Sequence, residues 1–196
     1  MKENLKTFAE QGKFMVVKNY FRSDFTWSDA IYYLNNASNE KSNFMDGFKK
    51  LGSEVKNLAV QRGFGFFQIL LNNSERHPFI YNSLNSLYKE IEDDQYKPSA
   101  HQVFINLFDD GHQSGPHKDN WDVMYLELIG DVLWEAFDEA GNVIEMEVVS
   151  PGDAVIVPKG VIHNVAVLTP RVSLSTSFNY ESEQEDPVMT EYIDNI

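Results

Sequence analysis

From residue 100 onward the chain breaks into short apolar runs: HQVFINLF, DVMYLELI, VLWEAF, VIEMEVV, DAVIVP, HNVAVL and RVSLSTSF. They are separated by Gly, Pro, Asp and Asn. Runs of this length, rich in Val, Ile, Phe, Tyr and Trp, fit extended strands, and the turn residues between them allow sharp reversals. Several such strands at regular spacing cannot stay open to water, so they predict a sandwich or a closed barrel around one core. The chain has 196 residues, enough for one domain with a substantial core. The expected division is a single domain over 1–196. Residues 1–99 supply N-terminal helices and supporting strands, 100–180 the β-barrel core, and 181–196 an acidic tail. The fold class expected from the residues is mainly β with flanking helices.

The N-terminal part is mixed. KFMVVKNYF reads as an early strand. Ser23 or Asp24 can cap the following helix, WSDAIYYLNNAS, which places Trp27, Ile31 and Leu34 on one face. GFGFFQILLNN reads as a strand. Its Gly63 and Gly65 lack the third glycine and following helix of a dinucleotide-binding loop. HPFIYNSLNSLYKEIEDD carries Ile80, Leu84, Leu87 and Ile91 at helical spacing behind a proline. The tail ESEQEDPVMTEYIDNI, acidic and without Lys or Arg, reads as a solvated end.

Composition narrows the chemistry. A formal net charge of −14 argues against sequence-independent nucleic-acid binding, which needs clustered cations against phosphates. With no cysteine, any metal must be held by His, Asp, Glu and water. The opening MKENLKTFAEQGKF has no apolar leader, and no run approaches a membrane span. The expectation is a cytoplasmic protein with neither a nucleic-acid nor a membrane partner.

Within GHQSGPHKDNWDV, His117 and Asp119 stand two residues apart. On a strand they project from one face while Lys118 points away. Two ligands make a poor site, and GDAVIVPKGVIHNV offers a third in His163, which opens a strand after turns at Pro158 and Gly160. Two imidazoles and one carboxylate on one face of an ion leave three positions open. Non-haem Fe(II) oxygenases use that arrangement because dioxygen and an organic chelator must bind together. The alternative is that these are polar residues at ordinary strand ends.

The surrounding residues carry a resemblance. Gly152, Pro158, Gly160 and His163 reproduce the spacing Gly-x5-Pro-x-Gly-x2-His of the second cupin motif, with Val167 where Asn is usual. GPHKDNWDVMYLELIGDVLW resembles the first metal-binding stretch of JmjC-type cupin hydroxylases, with His-x-Asp leading through an apolar strand to Gly and Trp. The resemblance spans roughly Val103 to Phe178. It implies a double-stranded β-helix (jelly-roll, cupin) barrel. By carry-over, His117, Asp119 and His163 are the Fe(II) ligands and the catalytic centre. Aspartate at position 119, rather than a second histidine, matches the branch that uses 2-oxoglutarate as co-substrate with molecular oxygen.

One position departs from that branch. Its Lys or Arg for the far carboxylate of 2-oxoglutarate corresponds here to Val132, which cannot hold an anion. HNVAVLTPRVSLSTSF resembles instead the plant-type and penicillin-synthase-like oxygenases, where Arg-x-Ser follows the distal histidine. Arg171 and Ser173 fit that pair, and Asn106 stands where that branch often has a polar residue, so these three are the candidate co-substrate residues. A guanidinium can meet a carboxylate with two parallel hydrogen bonds. Everything turns on which alternate set of Arg171–Phe178 lines the barrel, because a shift of one residue exchanges the faces.

The remaining candidates carry less. His77 and His101 read as helix and strand entries, Asp109 and Asp110 as exposed loop acids, and Trp121 and Trp134 as packing residues. His112 lies in a loop read as a lid that could touch substrate, and either Asp122 or Tyr125 can reach the pocket. The resemblance implies an Fe(II)- and 2-oxoglutarate-dependent hydroxylase of a small molecule, amino acid or peptide, releasing succinate and CO2. Two alternatives stay open: a metal-dependent cupin dioxygenase or isomerase that does not use 2-oxoglutarate, and a non-catalytic cupin binding module. Oligomeric state is not written in these residues.

Overall fold

The computed structural model describes residues 12–32, 68–72, 98–107, 111–112, 115–178 and 190–192. Among them the strands are β1 (Met15–Val17), β2 (Gln68–Asn72), β3 (Pro98–Asn106), β4 (Gly111–His112), β5 (His117–Asp119) and β6 (Asp122–Ile129). They continue with β7 (Val132–Phe137), β8 (Val143–Val149), β9 (Ala154–Val157), β10 (Ile162–Val167), β11 (Arg171–Phe178) and β12 (Thr190–Tyr192). The seven runs read from the sequence correspond to β3 and β6 to β11. The helix expected after residue 77, Leu34, Gly63, Gly65, His77, Asp109 and Asp110 lie outside the described residues.

These strands form two antiparallel sheets. One runs β1-β9-β6-β11-β3-β2. The other runs β12-β5-β10-β7-β8, with β4 also on β10. From β5 to β7, and again from β8 to β12, consecutive strands alternate between sheets, which is how a jelly roll closes two faces over one interior. The segment expected to be a loop around His112 pairs its backbone with Ala166 of β10. Part of the acidic tail is strand β12, paired with Lys118 through Glu191 on the edge of β5.

Alternation along single strands shows where the core lies. On β7, Val132, Trp134 and Ala136 are buried, and they join Val155, Val157, Val165 and Val167 between the sheets. On β6, Tyr125 packs into that cluster while Met124, Leu126 and Leu128 point to the opposite face. There they meet Val172, Leu174 and Ile156, under a cover of Phe21, Phe25, Trp27 and Ala30 from the N-terminal segment. The barrel therefore has a core inside, and the sheet that holds β6 and β11 has a second apolar layer outside.

That covering segment turns helical over residues 27–32. The cap is Thr26, not Ser23 or Asp24. The Asp29 amide reaches the Thr26 hydroxyl oxygen at 3.4 Å, and the Thr26 amide donates back to the Asp29 carboxylate at 2.8 Å, a reciprocal capping box. Other contacts take the other two: the Ser23 hydroxyl donates to the Leu128 carbonyl, and Asp24 pairs locally with Arg22. No helix among the described residues is long and apolar enough to cross a membrane.

Candidate metal centre and the pocket behind it

Two turns deliver the three candidate ligands. Gly115, at φ 71°, lets the chain reverse into β5, whose short run buries His117 and Asp119 while Lys118 stays outside with Glu139. In the second turn Gly160 takes φ 80° and its amide donates to the Asp119 carbonyl, tying the turn to β5. That contact sets the register, in which His163 of β10 lies directly opposite His117. The two imidazole centroids are 4.2 Å apart, and His163 Nε2 is 3.7 Å from Asp119 Oδ2. One ligand atom from each of the three side chains lies within 4.8 Å of the other two.

Both imidazoles are held by the same local device. His117 Nδ1–H donates to the carbonyl of Gly115 at 2.8 Å, and His163 Nδ1–H to that of Val161 at 3.0 Å. A carbonyl only accepts, so each Nδ1 carries the proton and each Nε2 presents a lone pair to the cluster. His163 Nε2 is buried with no hydrogen-bond partner among the described residues. Burial lowers the His163 basicity to about 3, the nearby His117 adds to this, and the Val161 bond opposes it. His117 is lowered by burial too, against its bond to Gly115. Both rings are therefore neutral at pH 7, and the close approach to Asp119 is not an ion pair.

Among the described residues no cationic side chain balances the buried Asp119, and burial pushes its carboxyl up to about 7. A divalent cation would supply the missing positive charge and occupy the orphaned lone pair of His163. The donor set thus fits a metal, with two neutral nitrogens and one carboxylate oxygen.

Arg171 lies in the same interior. The register aligns Arg171 with Asn106, and Ser173 with Phe104 on one side and Glu127 on the other. Val172 and Leu174 belong to the outer layer, so Arg171 and Ser173 point inward. Arg171 Nε donates to Asn106 Oδ1 at 2.8 Å, and the guanidinium lies 5.9 Å from the Phe104 centroid. Arg171 is nearly fully buried. Aromatic rings connect it to the ligand cluster. Phe104 is 6.0 Å from Tyr125, Tyr125 is 4.7 Å from Trp134, and Trp134 stacks on His163 at 5.5 Å and 21°.

Several residues differ from their sequence reading. Trp134 packs, as expected, and also forms one wall against the His163 ring. Tyr125 faces the interior, whereas the Asp122 carboxylate accepts the Lys159 amide at 2.8 Å. Val132 is buried among apolar residues, with no cation at the position the JmjC-type pattern reserves for one. Glu127 was missed altogether. It is 2% exposed, accepts the Ser173 hydroxyl at 2.8 Å on Oε2, and lies in the field of Arg171. Its signal was its parity: Glu127 alternates in phase with Tyr125 on β6.

No family model and no curated protein matches the chain. Solved structures do. A structure of YcfD, a ribosomal oxygenase from Escherichia coli, aligns with a TM-score of 0.59 and 17% identity, covering 93% of this chain and 53% of that one. The likeness shows the fold, a jelly-roll β-barrel. The same E. coli protein in complex with cobalt and succinic acid gives a TM-score of 0.55 at 16% identity, covering 94% of this chain and 54% of that one. Its complex with cobalt and 2-oxoglutarate aligns at 0.50 and 20% identity over 59% of this chain and 32% of that one. The chain thus spans at most about half the length of these matches. At such identities the likeness concerns the barrel, and the chemistry must be argued from the side chains.

Proposed function

We propose that the chain is an Fe(II)- and 2-oxoglutarate-dependent oxygenase that hydroxylates a C–H bond of a small molecule, amino acid or peptide. The observation that carries this reading is the inward-facing, buried Arg171 in the same barrel interior as the His117, Asp119 and His163 cluster. The three side chains would hold the metal from one side, and the metal would supply open positions for a 2-oxo acid chelator and dioxygen. In this reading Arg171 binds the far carboxylate, Ser173 lines the same site with its hydroxyl turned to Glu127, and Asn106 orients the guanidinium. Trp134 and Tyr125 wall the interior and exclude water from it. The balance is conventional: 2-oxoglutarate is oxidised to succinate and CO2, one atom of dioxygen enters succinate, and the other enters the substrate as a hydroxyl. Cobalt complexes of the E. coli neighbour with 2-oxoglutarate and succinic acid support the same choice. The net charge of −14 favours a basic substrate over an acidic one.

Fe(II) and 2-oxoglutarate added anaerobically should produce a visible charge-transfer absorption, and admitting air should then release succinate. Asp119→Ala should abolish the absorption. Oxygen uptake without succinate would transfer the assignment to a metal-dependent cupin dioxygenase that does not consume 2-oxoglutarate. The apolar Val132 favours that second reading. Ligand binding unaffected by Asp119→Ala would instead identify a binding module.

A further inference from the structure

Glu127 is a buried acid for which the proposed chemistry has no use. Ser173 donates to its Oε2 at 2.8 Å, while Oε1 is buried with no hydrogen-bond partner among the described residues. Among the described residues, the charged groups acting on it lie on three neighbouring elements. Arg171 faces it from β11, Asp131 from the turn after β6, and Asp153 from the turn before β9. Lys18 is bound to Asp153 at 3.0 Å, and Tyr125, on the same strand as Glu127, interacts with Arg171. An orphaned buried oxygen is costly, and its usual explanation is a group that completes it when bound.

The chemistry of that group follows from the donor pattern. Ser173 already donates to Oε2, so the proton of the neutral acid sits on Oε1 and needs an acceptor. If Arg171 anchors the far carboxylate of a chelator, as the proposed function holds, the strongest available acceptor arrives beside Oε1. We propose that Glu127 is a specificity-determining residue of the co-substrate pocket, donating Oε1–H to the far carboxylate of a 2-oxo diacid held by Arg171. The inference rests on the 2-oxoglutarate reading and adds a condition to it: the pocket accepts a carboxylate-ended chelator only while Glu127 keeps its proton.

Burial pushes the Glu127 carboxyl up to about 8. Arg171 and Ser173 oppose this, and Asp131 and Asp153 add to it. Below that pH the neutral acid donates to the ligand. Above it the ionised acid turns its charge on Arg171 and repels the incoming carboxylate. Affinity for the diacid therefore falls as pH rises, and a 2-oxo acid lacking the far carboxylate escapes this effect.

The test is calorimetric titration of the Zn(II)-loaded full chain with 2-oxoglutarate and with pyruvate, at pH 7 and pH 9. Pyruvate shares the chelating end and corrects for changes at the metal ligands. Relative to pyruvate, 2-oxoglutarate should bind about tenfold more weakly at pH 9 than at pH 7. In Glu127→Gln the ratio should be the same at both pH values, because the amide donates throughout. The wild-type measurement stands even if that variant fails to fold. Tight 2-oxoglutarate binding with a pH-independent ratio, or a pH effect surviving in Glu127→Gln, overturns the role of Glu127 alone. If 2-oxoglutarate binds no better than pyruvate at pH 7, Arg171 is not an anchor, and the co-substrate reading falls together with this inference.

Discussion

Asn106 does for Arg171 what the Gly115 and Val161 carbonyls do for the two imidazoles. It accepts one N–H and thereby fixes the plane of the group. A buried guanidinium that loses an acceptor keeps its desolvation cost, so a hydrogen bond to a charged group carries more weight than a neutral one, roughly 1.5–3 kcal/mol. Asn106→Ala should therefore let the Arg171 head reorient. The expected outcome is at least a tenfold loss of 2-oxoglutarate affinity with metal affinity unchanged, both read by calorimetry. Equal losses for metal and co-substrate would mean that Asn106 supports the barrel as a whole. The single Ser173 hydroxyl proton goes to Glu127, so Ser173→Ala disturbs that acid as well as the ligand site and reports less clearly.

At the level of elements, the turn between β6 and β7 is more constrained than the one before β10. Both rest on a left-handed glycine, Gly130 at φ 83° and Gly160 at φ 80°. A Cβ on Gly160 would meet open space, whereas one on Gly130 would lie 2.2 Å from the Pro170 carbonyl oxygen and 2.9 Å from Thr169 Oγ1. Gly160→Ala should cost the left-handed strain alone, about 1–2 kcal/mol. Gly130→Ala should cost clearly more, because the Pro170 backbone must shift as well. Urea midpoints of the two variants compare them directly. These glycines also explain why the strands from β6 to β11 were legible in the sequence: turn residues punctuate long apolar runs, and the ligand spacing rides on the same turns. The short strands β4, β5 and β12 gave no such signal, since two or three residues have no period to detect. Thr26, Asp24 and Ser23 can all cap a helix, and only contacts with Leu128 and Arg22 decide among them. Glu127 escaped notice for a related reason. Within DVMYLELI both faces of the strand are buried, so hydrophobicity does not mark which one looks into the barrel.

Across the molecule, the N-terminal segment closes the outer apolar layer, and one of its polar links to the barrel gathers on Asp153. The buried Asp153 carboxylate accepts the Asn19 and Ser150 amides, each at 2.9 Å, and the Lys18 ammonium at 3.0 Å. The Phe21 amide donates to the Gly152 carbonyl beside it. Burial alone would raise the Asp153 carboxyl, but the Ser150, Asn19 and Lys18 donors outweigh it and hold the group below its ordinary value. A carboxyl depressed in the folded state adds stability that is complete above its unfolded value, roughly 3.9. That stability is lost as pH falls through the lower folded value. Asp153→Asn keeps the shape, but its amide nitrogen replaces one accepting oxygen, so at least one donor loses its partner. At pH 7 the substitution should cost about 1–3 kcal/mol in denaturant unfolding. The gap between variant and wild type should then narrow as pH falls below about 4. A gap independent of pH would assign the cost to packing and remove charge from the account of how segment and barrel hold together.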